Sequence, residues 1–258
     1  MAKKIIFFIL CMMLLSRSSF ATETIAIVCE QACPYACIDQ KTGKPAKQPG
    51  IAMEIAKAVF EPLGYQITLD FRPAARAVKA TRNGKFTAYV TVKEAAPDFI
   101  YPEHEVLMAK VCFFVKKGNP WRYEGIDSLS SVRIGCTASY HFGDSLQEYI
   151  EKHKQTDAVQ LIWGEDAVET NIKKLLVGRI DTFIDEANIV LYIIKQKNMS
   201  QSVQIAGCVT DWKYPVYLCF SPALPQSKKY VRILSNGIKK LKESGQLQTI
   251  YHKYGLVD

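Results

Sequence analysis

Beyond its first 21 residues the chain lacks any apolar run close to the roughly 18 to 20 residues that a membrane-crossing helix needs, so the remainder is expected to fold in water. Histidine is scarce. His104, His141, His153 and His252 are the four present, and their spacing forms no metal motif. Lys and Arg are scattered among acids, without the dense runs or interleaved aromatics of a nucleic-acid surface, so no nucleic acid is expected as a partner. No signature of an enzyme stands out. With these classes set aside, no catalytic residue, metal or cofactor is expected.

The first 21 residues themselves read as a leader. Lys3 and Lys4 make a basic start, "IIFFILCMMLL" from Ile5 to Leu15 is an apolar core, and Ser19 and Ala21 are small residues where a signal peptidase cuts. Cleavage after Ala21 is the expectation, and with it export. Cys11 is a poor lipidation site, because bulky Leu10 precedes it and the apolar run continues past it. Removing Lys3, Lys4 and Arg17 lowers the net charge from +8 by three, to +5. The remaining 237 of 258 residues suit one large domain or two ordinary ones.

Seven cysteines then remain: Cys29, Cys33, Cys37, Cys112, Cys136, Cys208 and Cys219. In an oxidising compartment disulfides are their ordinary use. An odd number leaves at least one thiol free or paired with another chain, and spacing alone leaves the connectivity open. Cys29, Cys33 and Cys37 match no common zinc spacing and have no histidine nearby, so a cystine stiffening that loop is the favoured reading.

Strand-like and helix-like segments alternate, the mark of an α/β chain. "TIAIVC" is a short β-rich run; "GIAMEIAKAVFEPLGY" places Ile51, Ile55, Ala58 and Val59 at helical spacing before Pro62 and Gly64; "QITLDF", "AARAVKATRNGK" and "FTAYVTV" continue as strand, helix and strand. After the strand "AKVCFFV" and the turn at Gly118 to Pro120 the alternation restarts. "VRIGC", "GDSLQEYIEKH", "AVQLIW", "DAVETNIKKLLVG", "RIDTFID" and "EANIVLYIIKQ" follow in turn. The tail differs, with a strand "YPVYLCFSP" and then two helices, the first striped by Val231, Leu234, Ile238 and Leu241. Two such units imply two lobes.

Four segments, in order, resemble the extracellular solute-binding proteins of family 3, typified by polar amino-acid receptors: "PGIAMEIAKAVFEPLGY", "RNGKFTAYVTVKEA", "LLVGRIDTFIDEANIVLYII" and "GIKKLKESGQLQTIYHKYG". The resemblance implies a two-lobed periplasmic binding protein fold with two hinge crossings. Lobe one is expected over 22–116, lobe two over 117–216, and the return to lobe one over 217–258. It also implies a monomer that takes a small polar solute between its lobes in the periplasm and passes it to the permease subunits of an ABC transporter.

By that resemblance, Asp185 at the end of "RIDTFID" holds a ligand's ammonium group; an acid at a helix start equally serves as a cap, so Asp185 or Glu186 capping the next helix stays open. Thr137, Ser139 and Tyr140 in "GCTASYHFGD" match the loop that meets a ligand carboxylate, Thr91 matches a ligand-facing threonine, and Tyr35 is the candidate for an aromatic wall. The pattern departs at one point. The arginine that clamps an α-carboxylate in amino-acid receptors is replaced by Ala95 or Ala96, and a methyl group makes no bidentate fork. Arg76 is the candidate replacement, with Arg72 and Lys93 behind it. Two other functions fit the scaffold: an enzyme like the periplasmic cyclohexadienyl dehydratases, with Glu30, Asp185 or Glu186 as general acid, and a sensory receptor for a membrane kinase or chemoreceptor.

Overall fold

A computed structural model of the chain describes residues 23–39, 41–92, 95–138, 140–164 and 166–256. The expected leader and the site candidates Ser139 and Lys93 lie outside these residues. Among the described residues no helix is long and apolar enough to cross a membrane.

Runs rich in Ile, Val, Thr and Phe form the strands, as their branched and aromatic side chains favour. They are β1 (Thr24–Cys29), β2 (Gln66–Phe71), β3 (Ala88–Val92), β4 (Leu107–Lys116), β5 (Ile134–Thr137), β6 (Val159–Ile162), β7 (Thr182–Glu186) and β8 (Val203–Phe220). Between them stand α1 (Ile51–Phe60), α2 (Ala74–Arg82), α3 (Asp144–His153), α4 (Ala167–Leu176) and α5 (Ala187–Gln196), followed after β8 by α6 (Ser227–Glu243) and α7 (Gln246–Lys253). The order across the sheet is β2-β1-β3-β8-β4-β7-β5-β6. At one end β1 runs parallel to β2 and β3; at the other, β5 runs parallel to β6 and β7. The antiparallel pair β4 and β8 joins them.

Each parallel end is covered on both faces, which produces four cores. Ile25, Ile27, Ile51, Ile55, Leu218 and Tyr230 belong to one, and Val28, Tyr89 and Phe99 to the one behind it. Phe113, Ile134 and Ile184 belong to a third, and Phe114, Ile172 and Phe183 to the fourth. These are the two lobes of an α/β binding-protein fold, and the central strands belong to both. Within β4, Leu107 and Ala109 pack in the first lobe, whereas Val111, Phe113 and Val115 pack in the second.

Helix faces follow the periodicity with one adjustment: Ile51, Ile55 and Val59 are buried, but Ala58 is exposed, and Ala52, Met53 and Ala56 complete the face. The larger difference is β8. The stretch "YPVYLCFSP" is only its end, because "VQIAGCVT" also pairs with β4 and makes one strand of 18 residues. That pairing is non-local, so the short run shows no trace of it. Between the pairs Lys110↔Lys213 and Cys112↔Cys208, Val111 alone stands opposite Val209 to Trp212, an irregularity that bends the pair.

Candidate binding cleft

In parallel sheets the strand C-termini and the loops that follow them line a crevice. Here the ends of β1 and β3 lead into a cleft of about 710 Å³, walled by Glu30, Tyr35, Tyr89, Thr91, Ala95 and Tyr214 among others. Thr91 and Tyr35 are thus placed in its wall. Tyr89 was not singled out from the sequence, yet strand alternation puts it on the same face as Thr91, two residues on, so the signal was present. Burial first, and Glu30 second, push the Tyr89 hydroxyl up to about 12, and Thr91 hydrogen-bonds to it.

Tyr35 sits on a loop closed by the Cys33–Cys37 disulfide. Its backbone is pressed against the start of α1: Ala52 N donates to Tyr35 O at 3.2 Å, and Ile51 N to Pro34 O at 2.8 Å. Gly50 makes the approach possible, with φ at 109° and with the place of a Cβ only 2.4 Å from Tyr35 O. Tyr254, beyond α7, accepts the Gly50 amide at 2.8 Å and so ties the tail to this loop.

The loop carries Tyr35 across to the other lobe. Its hydroxyl donates to Glu186 Oε2 at 3.1 Å and accepts from Asn188 Nδ2 at 3.0 Å. Glu186 is also the cap of α5, accepting from Asn188 N at 2.9 Å and Ile189 N at 3.2 Å. Asp185 makes neither capping bond. Its Oδ2 accepts from Thr137 Oγ1 at 2.8 Å and its Oδ1 from Glu186 N at 2.8 Å. The two carboxyls, which the sequence left interchangeable, therefore have different work: Glu186 caps and meets Tyr35, while Asp185 holds Thr137.

Both carboxyls are buried, Asp185 completely. Burial pushes Asp185 up to about 6, against the pull of the Thr137 hydroxyl and the Glu186 amide, and Glu186 up to about 7, with Asp185 adding to the rise. Tyr140 is half-exposed; burial, and then Asp185, Glu186 and Glu30, raise its hydroxyl. Tyr214 is raised by burial and by the same two β7 carboxyls. Tyr35 and Thr91 thus line the cleft, while Thr137, Tyr140 and Asp185 are gathered around the ends of β5 and β7 in the second lobe.

The arginine candidates are placed elsewhere. Arg72 donates to Asp70 Oδ2 from Nε at 3.1 Å and from Nη2 at 2.8 Å. Arg76 is exposed on α2, whose Ala74, Ala75, Val78 and Arg82 form the face toward the cleft; helical spacing carries residue 76 to the opposite face. Arg82 lines the cleft but forks onto Asp98 at 2.7 and 2.9 Å. Ala95 lines the cleft with its methyl group, and Ala96 is buried beside Phe99.

Among the described residues the cysteines settle into two disulfides, Cys33–Cys37 and Cys112–Cys208, and three buried thiols, Cys29, Cys136 and Cys219. Burial raises all three thiols, Cys29 and Cys219 up to about 12, so they are inert rather than nucleophilic. Cys112 is the cross-strand neighbour of Asp185, so the second disulfide braces the strands beside that carboxyl. No group of three or more His, Cys, Asp or Glu that could hold a metal occurs among the described residues.

Several solved structures share this architecture. Substrate-binding domain 2 of GlnP from Lactococcus lactis, in its open conformation, matches 92% of this chain and 97% of its own at TM-score 0.70 and 17% identity. The unliganded, open L-cystine solute receptor of Neisseria gonorrhoeae matches 91% and 93% at 0.68 and 18%. An ancestral amino-acid-binding protein, a precursor of cyclohexadienyl dehydratase, matches 90% and 95% at 0.58 and 16%. At such identities the likeness concerns the fold. No curated protein matches the sequence. The model of the bacterial extracellular solute-binding proteins, family 3, matches residues 25–257, nearly the whole of the chain, and the chain belongs to that family.

Proposed function

We propose that the protein captures a small polar, amine-bearing solute between its lobes in the periplasm and delivers it to the membrane subunits of an ABC transporter. The observation that carries this reading is the hydrogen bond between Tyr35, which lines the cleft from the first lobe, and Glu186, which stands beside the Asp185–Thr137 pair at the end of β7. Tyr35 is the moving part. Its bond to Glu186 joins the lobes, so opening breaks that bond and closing around a solute restores it.

The crossings between lobes fall at Lys110 of β4 and Lys213 of β8, which stand opposite each other next to the irregular step. Ala109 and Tyr214 pack with the first lobe, and Val111 and Trp212 with the second, which supports that position over the more distal crossings at 116 and 217 expected from the sequence. Native mass spectrometry of the protein from periplasm tests the reading: a stoichiometric small molecule supports it, and an Asp185→Asn variant that keeps full affinity for that molecule removes Asp185 from the site.

One observation favours a second reading. A buried carboxyl titrating near neutrality is suited to general-acid work, and Asp185 and Glu186 both qualify. Turnover of a cyclohexadienyl substrate by the purified protein, lost in Asp185→Asn or Glu186→Gln, would establish the enzyme; binding without turnover excludes it for that substrate.

A further inference from the structure

We infer that a second cavity, at the hinge between the lobes, is a binding site for a small amphipathic anion, a carboxylate carried on a hydrocarbon body. The inference goes beyond solute capture in the cleft and does not depend on it.

The cavity holds about 580 Å³, within the range of pockets that bury a small organic molecule. None of the residues lining it also lines the cleft of Tyr35 and Thr91. Its walls come from both lobes. Leu107, Ile238, Leu247 and Leu256 belong to a core of the first lobe, whereas Cys112 and Ala187 belong to one of the second, with Cys208 packed against it. Along β4 the lining residues Leu107, Met108, Lys110 and Cys112 bracket the crossing at Lys110. Hinge rotation therefore changes the shape of this space, and an occupant touches both lobes.

The lining selects a chemical class. Leu107, Met108, Leu191, Ile205, Ile238 and Leu247 make much of it hydrocarbon. Ile205 is still 39% exposed, so a hydrocarbon body packed beside it removes apolar area of both from water. The charges are mainly positive: Lys110 from β4 and Lys239 and Lys242 from α6 line the cavity, with Glu105 as the lining carboxylate and His104 next to it in the chain. All three lysines are exposed. Lysine stems pack along apolar surface and carry their ammonium groups to water, so this wall offers hydrocarbon inside and positive charge at the rim. Lys239 and Lys242 are three residues apart on α6, which sets them on one helix face. A carboxylate on a hydrocarbon stem matches both parts of the wall. An alkylammonium matches the first and is repelled by the second.

Two features fix the wall and connect it to the lobes' contact. The Cys112–Cys208 disulfide is part of it and holds β4 to β8 there. Asn188 is part of it too, and its Nδ2 donates to the Tyr35 hydroxyl at 3.0 Å and to Met108 O at 3.2 Å. One side chain thus borders the cavity and holds the tyrosine that bonds to Glu186.

The test is calorimetric titration of the full exported protein with octanoate, and with acetate, 1-octanol and octylammonium as probes that lack the stem, the charge or its sign. Octanoate should saturate at one per chain, bind at least about tenfold more tightly than each of the other three, and raise the thermal transition. Ile205→Asp places a carboxylate in the wall at an exposed position and should weaken octanoate at least about tenfold. Lys110→Gln combined with Lys239→Gln and Lys242→Gln should do the same. Three glutamines at the exposed Lys116, Lys117 and Lys228, which do not line the cavity, make the same change of charge and should leave the affinity within about twofold. Should Ile205→Asp lower the thermal transition of the free protein, the lysine variant decides. No saturable binding of octanoate overturns the inference, as does equal binding of octylammonium or an affinity that the cavity variants leave unchanged. None of these outcomes bears on a solute released from the cleft in native mass spectrometry, so the solute-binding reading stands or falls separately.

Discussion

The strand β7 has an aspartate near each end, and the two could hardly be treated more differently. Asp181, just before its start, is partly exposed and held by Arg133 through both guanidinium nitrogens at 2.9 Å and through the Arg133 amide at 2.9 Å. That fork, the largest influence on it, keeps its carboxyl below the usual range. Asp185 is fully buried, meets only neutral donors, and is pushed up to about 6 by burial. At one end the chain supplies the countercharge, and the acid serves to join β5 to β7. At the other it supplies only neutral donors, and the acid is held without a countercharge in a buried setting.

The largest effect separating the two ends should come from the brace beside Asp185. The Cys112–Cys208 disulfide closes a separation of 96 residues, and replacing both cysteines with alanine should cost roughly 4 kcal/mol in urea unfolding. The same change should leave the Arg133–Asp181 pair intact, since that pair lies at the far end of the strand. A loss under about 1 kcal/mol would mean that neighbouring strand pairs, not the disulfide, limit the unfolded chain.

Gly50→Ala comes next. The new Cβ falls 2.4 Å from Tyr35 O, at a φ of 109° that L-residues rarely adopt, so a cost of about 2 kcal/mol or more is expected. It should also displace Tyr35 from Glu186, and an Asp181→Asn variant should not. A structure of the variant with Tyr35 unmoved would refute the proposed link between this glycine and the cleft.

The pH dependence of stability should have opposite signs at the two ends. Asp185 and Glu186 keep protons in the folded state that the unfolded chain releases near 3.8 and 4.5, so their contribution is present at low pH and is lost as pH rises through about 6 to 7. For Asp181 the folded carboxyl lies below 3.8, so its contribution is present above that value and disappears as pH falls through the folded pKa. The titratable groups facing Asp185 and Glu186 are each other, Tyr35, Tyr140 and Tyr214, and the tyrosines stay neutral across this window. The difference in urea midpoint between wild type and Asp185→Asn should therefore change between about pH 4 and pH 7, with the variant gaining as pH rises. A flat difference would show that Asp185 titrates as it does in water.

The smallest change belongs to the outer end. Asp181→Asn weakens a part-exposed pair and should cost about 1 kcal/mol, with no effect on solute affinity. If affinity shifted as it does in Asp185→Asn, the division of labour along β7 would be wrong.

Much of this is legible in the sequence alone. Strand-like runs marked most strands, helical spacing marked the buried faces of α1 and α4, and the family resemblance drew attention to Asp185 at the end of its strand. Thr137 and Asp185 were each named as candidates, and the parallel register of β5 with β7 brings them to 2.8 Å. The parts that were not legible share a cause. Arg76 and Arg82 look alike in a run of residues, and only the packing of α2 against β1 and β3 decides which faces inward. Tyr214 and the full length of β8 were hidden because their partners lie far off in the chain. Glu30 was visible as an acid, but its place in the wall depends on β1 lying beside β3 and α2.

The sequence by itself determined the local alternation of strands and helices, the stops at glycine and proline, and the absence of an arginine at position 95 or 96. These are properties of short segments, set by side-chain shape and periodicity. Tertiary structure alone decided which cysteines join, which of two adjacent carboxyls caps α5, which arginines are already neutralised, and how far burial lifts Asp185. The Cys112–Cys208 bridge, the Arg82–Asp98 fork and the burial of Asp185 depend on distances between residues apart in the chain, and a charge acquires its meaning from what surrounds it.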